Sequence, residues 1–189
     1  MTTFVDYQTA VIDKCTEFVG VRERGRNAGP EVAAFLETVG LGTGNAWCAA
    51  FVYAIHKWAA ESLGANTECP RSGSAVALWL KARRANLLTF RPDQVKTGLI
   101  YPQPGDVFVR VRRGRAQDVD VVTNEALRFR DRRRKGHTGI VTGMDEHGVV
   151  HTIEGNTNSA GSAEGDGVYR KAVDLDMPEL VGFIRPFAG

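Results

Sequence analysis

Cysteine is scarce in this chain: three in 189 residues, Cys15, Cys48 and Cys69, with no CxxC pair. One thiol is left over in any disulfide scheme, so neither a disulfide scaffold nor a cysteine-rich zinc site is expected. Cys15 and Cys69 are the pair that could still bridge, although a chain of this size can fold without a staple. Long hydrophobic runs are also missing. The longest, AWCAAFVYAI, covers residues 46–55, about half of the roughly 20 residues that a membrane-crossing helix needs. No membrane span is expected. The start, MTTFVDYQTAVIDKC, has neither a basic n-region nor an unbroken apolar core, so no secretory signal is expected and synthesis in the cytoplasm follows. Repeats, low-complexity tracts and Pro/Ser-rich linkers are lacking too. With 43% hydrophobic residues, the chain suits one domain over 1–189, read as a monomer.

What charge there is lies unevenly. Arg110–Lys135 holds ten Lys/Arg against four Asp/Glu, a surplus of six, whereas the whole chain carries only +2. Such a segment attracts polyanions, whether nucleic acid or anionic wall polymers such as teichoic acid or lipopolysaccharide, with a plain solvated loop as the alternative reading. Nucleic acid is the weaker expectation, because the segment contains only Phe129 as an aromatic and no recognition motif.

The N-terminal half has helical periodicity. In FVDYQTAVIDKCTEFVG the residues Val5, Ala10 or Thr9, Ile12, Cys15 and Val19 predict one apolar stripe, with Gly20 as the stop. PEVAAFLETVG opens on Pro30, suited to a first helical position, and closes on Gly40. From about Asn45 to Ala60 the chain is apolar around most of a helical circumference, which predicts a central, buried helix. A fourth helix is expected from Ser72 or Ser74 through SGSAVALWLKARRAN. The second half changes to short β-branched segments separated by Gly, Asp or Asn: PQPGDVFVRV, HTGIVTGM, GVVHTIEGN, GVYRKAVDL and ELVGFIRPF. Helices followed by strands predict an α+β domain with an antiparallel sheet against the central helix.

Cys48 falls in the first turn of that predicted helix, where the dipole and unpaired N–H groups favour a thiolate. A nucleophile also needs a base. His56 is eight residues further along the same helix, about 12 Å away at 1.5 Å per residue, and is excluded. His147 lies in the turn DEHG, whereas His137 opens a strand with Gly139 beside it and His151 lies on the next strand. His137 and His151 both remain candidates. On that next strand, alternation puts Val150, Thr152, Glu154 and, if extension persists, Asn156 on one face, with His151 and Ile153 on the other. Glu154 and Asn156 could then offer an imidazole the partner that fixes its tautomer. Each signal alone is weak, since a lone buried cysteine is usually a small hydrophobe.

Four blocks in order carry more: WCAAFV around Cys48, PGDVFV after Pro104, GHTGIV around His137, and TIEGNTN with Glu154 and Asn156. Together they resemble the CHAP domain (cysteine- and histidine-dependent amidohydrolase/peptidase), in the NlpC/P60-like branch of the papain-like fold. The resemblance extends over roughly residues 5–187. It implies Cys48 as nucleophile, His137 as general base, Glu154 as its orienting acid and Asn156 as a supporting polar residue, with His151 structural. Trp47 and, more weakly, Asn27 become candidates for substrate contact. It also implies a peptidoglycan hydrolase, either an N-acetylmuramoyl-L-alanine amidase or a stem or cross-bridge endopeptidase, working through a thioester. No cofactor is expected, and no metal either, because the N-terminal stretch lacks the Asp-rich loop that binds calcium in some members of that family. Such an enzyme would reach the wall after phage lysis, as part of a virion, or through a secretion system. The segment 112–136 is longer and more basic than the family's usual hairpin, so it is an insertion. A cysteine acyltransferase and a catalytically silent wall-binding module are the alternatives on the same fold.

Overall fold

The element that organises the molecule is helix α3 (Cys48–Ser62), of whose fifteen residues ten are buried, on nearly every side. A computed structural model describes residues 3–112, 136–158 and 165–187, and shows what surrounds this helix. Helix α1 (Phe4–Glu17) starts in a reciprocal cap: Thr3 Oγ1 accepts the Asp6 N–H (3.1 Å) and the Asp6 carboxylate accepts the Thr3 N–H (2.9 Å). Its inward stripe is Tyr7, Val11 and Cys15, spaced by four. The expected stripe through Val5, Ile12 and Val19 is therefore rotated: Val5 is 66% exposed and Val19 37%. Aromatic anchoring sets the rotation, since Tyr7 stacks on Phe187 (4.8 Å between centroids) and shares a hydrogen bond with His56 Nδ1 (2.9 Å).

Helix α2 (Pro30–Thr38) begins with Pro30 in its first turn and gives way to Gly40 at φ 75°, as the sequence predicts. Helix α4 (Ala75–Arg84) is capped by Ser74, whose hydroxyl accepts the Ala77 N–H. Six strands follow or interleave: β1 (Leu88–Phe90), β2 (Val107–Val111), β3 (Gly136–Met144), β4 (Val150–Thr157), β5 (Gly167–Val173) and β6 (Leu180–Arg185). They form one sheet in the order β1-β6-β2-β3-β4-β5, with every pair antiparallel. The α+β reading is correct. The short β1 and the five-residue helix α5 (Pro92–Lys96) have no counterpart among the sequence expectations; three and five residues are too few to show a period.

Side chains alternate along the strands, so the sheet separates two apolar clusters. Val107, Val109, Val111, Ile140 and Ile153 join the helices, while Phe108, Val141, Val150 and Phe183 pack on the other side. All three cysteines are buried and unbridged. Among the described residues no helix is long and apolar enough to cross a membrane. Most of the basic segment, residues 113–135, lies outside the described residues.

His56, inside α3, is fully buried, and burial pushes its pKa down to about 3. The folded state thus holds it neutral. Because the unfolded chain takes up that proton below about pH 6.5, stability is complete above this value and declines as pH falls towards 3, by at most about 1.4 kcal/mol per pH unit. Replacing His56 with Leu is expected to flatten the fall of Tm between pH 6.5 and 4. Parallel profiles in urea or thermal unfolding would show that His56 takes no part in acid sensitivity.

Candidate active site

Four features of the local sequence bring the site together. The first is the start of α3. Trp47 occupies the N-cap but provides no side-chain acceptor, so the first-turn N–H groups, including that of Cys48, are left pointing out of the helix end. Cys48 is the first helical residue and 5% exposed.

The second is the ladder of the sheet. His137 on β3 lies opposite Arg110 on β2, and Gly139 lies opposite Phe108. Ile140 pairs with Ile153 on β4, which brings Glu154 level with Gly139 and on the face of His137. The third feature is Gly139 itself. A Cβ there would come within 2.7 Å of Glu154 Cγ, and within 2.9 Å of both Ile153 O and the Phe108 ring. Having no side chain, Gly139 lets Glu154 lean across the strand to His137, where Glu154 Oε2 and His137 Nε2 are 2.8 Å apart. Thr152 donates to the other carboxylate oxygen, Oε1, at 2.8 Å. Gly139→Ala should cost about 1–3 kcal/mol by overpacking and displace Glu154. Turnover should therefore fall by more than the loss of folded protein explains, on the order of 100-fold for an ångström of misplacement. Turnover and Tm both at wild-type values would disprove this role for the missing side chain.

The fourth feature is the end of β4. The ladder slips between Glu154 and Thr157, and Asn156 has φ 53°. Extension does not persist, and this corrects the expectation that Asn156 would share a face with Glu154. The carboxamide instead reaches under α3. In the one orientation that satisfies both its ends, Oδ1 accepts the Trp47 N–H (2.8 Å) and Nδ2 donates to Gly165 O (3.3 Å). Gly155 permits the approach, since a Cβ there would lie 2.6 Å from the Trp47 ring.

The electrostatics follow from burial and proximity. Burial pushes the Cys48 thiol up, but the neighbouring His137 ring and its charge, the charge of Arg112 and the Ala49 N–H outweigh it, and its pKa lies below the ordinary thiol value. Burial pushes His137 down, whereas Cys48 on one side and Glu154 on the other take it above the ordinary imidazole value. Glu154 is likewise pushed up by burial and brought below the usual carboxylate value by His137, Thr152 and Arg110. These shifts agree in direction: they favour thiolate, imidazolium and carboxylate together. With Nε2 taken by Glu154, Nδ1 is the ring nitrogen left for Cys48. It makes no hydrogen bond of conventional geometry among the described residues, a looseness common before substrate binds.

Cys48, His137 and Glu154 are thus brought together, and Asn156 supports the residue before Cys48. His151 is elsewhere, exposed and paired with Asp145 (Nε2 to Oδ2, 2.9 Å). Trp47 is a correction. It is fully buried, stacked on Phe35 (5.6 Å, 22°) with its indole N–H donating to Glu23 Oε1 (2.6 Å), and has no surface with which to meet substrate. Asn27 is half-buried in the neighbouring loop, where its side chain donates to Gly44 O (3.4 Å). Thr152 and Glu23 were not singled out from sequence. The i, i+2 spacing of Thr152 and Glu154 was visible, but nothing local joins Glu23 to Trp47. No group of three or more His, Cys, Asp or Glu side chains among the described residues is placed to hold a metal ion.

The family model of the CHAP domain matches residues 40–156, more than half of the chain. The chain belongs to the CHAP family. No curated protein matches it. The CHAP match spans Cys48, His137, Glu154 and Asn156, but not Glu23 or Asn27. CHAP domains have the papain-like cysteine peptidase fold, with amidase- or peptidase-type hydrolase activity on peptidoglycan, and the helix-on-antiparallel-sheet architecture described above agrees with that fold.

Proposed function

We propose that this protein cleaves an amide bond of peptidoglycan by covalent catalysis at Cys48. The observation that carries the reading is His137, buried between Glu154 and Cys48 at the N-terminus of α3. The Cys48 thiolate attacks the amide carbonyl and forms a tetrahedral oxyanion next to the helix end. The Cys48 N–H, at the start of α3, is a natural donor to that oxygen, and one such donor in position contributes about 3 kcal/mol to the barrier reduction. His137 holds the thiol proton on Nδ1 and passes it to the departing amine, leaving a thioester. It then takes a proton from water, whose oxygen attacks the thioester and restores Cys48. Glu154 stays ionised throughout, holding Nε2–H and stabilising the imidazolium.

The bond cut is either that between N-acetylmuramic acid and L-alanine or one within the stem or cross-bridge. Wild-type and Cys48→Ala protein incubated with purified peptidoglycan, with products read by mass spectrometry, separate these. New muramyl or stem-peptide termini from wild type alone are expected, and their masses name the bond. Absence of cleavage across several wall types by folded wild type would overturn the hydrolase reading. Transfer of the acyl group to an added amine in place of water would make the protein an acyltransferase.

A further inference from the structure

Trp47 is held at four points, although it is not part of the reacting centre. Its N–H is bonded to Asn156, its carbonyl accepts the Phe51 N–H (2.8 Å), its ring stacks on Phe35, and its indole N–H donates to Glu23. Its backbone sits at φ −122°, ψ 9°, near the sparsely populated bridge between the helical and extended regions. Rotation about that ψ turns the following N–H, which belongs to Cys48. Whatever holds Trp47 therefore aims the donor that would meet the oxyanion.

Glu23 is built for this. Its second carboxylate oxygen accepts the Asn27 N–H (2.8 Å), so one side chain ties the indole to the loop that passes it. Its own backbone is fixed: the Glu23 N–H donates to Asp166 O (2.8 Å), and the adjacent Arg22 forms a β-bridge with Gly167 at the start of β5. The carboxylate is thus rooted in the sheet at one end and holds the residue before the nucleophile at the other. We infer that Glu23, which lies outside the span matched to the family, is a positioning residue that sets the direction of the Cys48 N–H through Trp47. This rests on the reading of Cys48 as an acyl-accepting nucleophile, though not on peptidoglycan as the substrate.

The test compares two reactions of Cys48. Acylation by p-nitrophenyl acetate forms a thioester and expels p-nitrophenolate, passing through an oxyanion. Alkylation by iodoacetamide expels iodide and needs only the thiolate. Glu23→Ala and the milder Glu23→Gln should lower the acylation burst rate, the former about tenfold, and leave alkylation within about twofold. Trp47→Phe, which keeps a ring but lacks the indole N–H, should act alike, and adding Glu23→Ala to it should cost nothing further. Acylation and alkylation falling together would mark Glu23 as structural only. Neither falling, or independent losses in the double variant, would also overturn the inference. A split ratio in a protein that cleaves no peptidoglycan would retain the inference and remove the proposed function. A wild-type Cys48 inert to both reagents would remove both.

Discussion

The contact on which the site depends is the one between Glu154 and His137, a carboxylate and an imidazole 2.8 Å apart and almost wholly removed from water, at 3% and 1% exposure. Burying two ionised groups costs several kcal/mol each, which their attraction offsets only if the remaining lone pairs and protons are satisfied. That condition explains the surroundings. Thr152 takes the second carboxylate oxygen, the charge of Arg110 reaches Glu154 from β2, and the thiol of Cys48 stands at the other side of the ring. Remove one partner and a buried charge is left uncompensated. The same closeness gives the cysteine its reactivity, because an imidazolium held by a carboxylate stabilises a neighbouring thiolate.

Geometry of this kind needs rigid carriers. Three of the four come from regular structure: the first residue of α3, the second residue of β3 and the fifth residue of β4. The fourth is irregular. The slip in β4 after Glu154 and the left-handed Asn156 end the strand's alternation, and this lets a side chain turn towards Trp47. Bulges of this type often re-aim a side chain beside an active site. The N-terminal segment closes the arrangement from outside the family match, through Glu23 and the aromatic packing of Phe35 on Trp47.

Much of this was legible in the chain because it is periodic or local. The all-round apolarity of residues 46–60 predicted the buried helix, and alternation on β4 placed Thr152 and Glu154 together and His151 apart. Gly139 was visible as a position with little side-chain bulk beside His137, although the crowding that requires it was not. Other parts were not legible, for physical reasons. The rotation of α1 depends on Tyr7 meeting His56 and Phe187, contacts 49 and 180 residues away that no helical period records. Trp47 was expected to meet substrate through the resemblance alone, as the residue next to Cys48 in WCAAFV. Its burial depends on Phe35 and Glu23, which the fold brings from elsewhere.

The central claim is that His137 holds Cys48 as a thiolate in spite of burial. The direct measurement is the rate of Cys48 alkylation as a function of pH in wild type and in His137→Ala, with unfolding monitored alongside. Wild type should reach its plateau at a pH below the ordinary thiol range. In His137→Ala, burial acts without its main opponent, so the rise should move to or beyond that range. A wild-type profile at or above the ordinary thiol range, unchanged by loss of His137, would contradict the account.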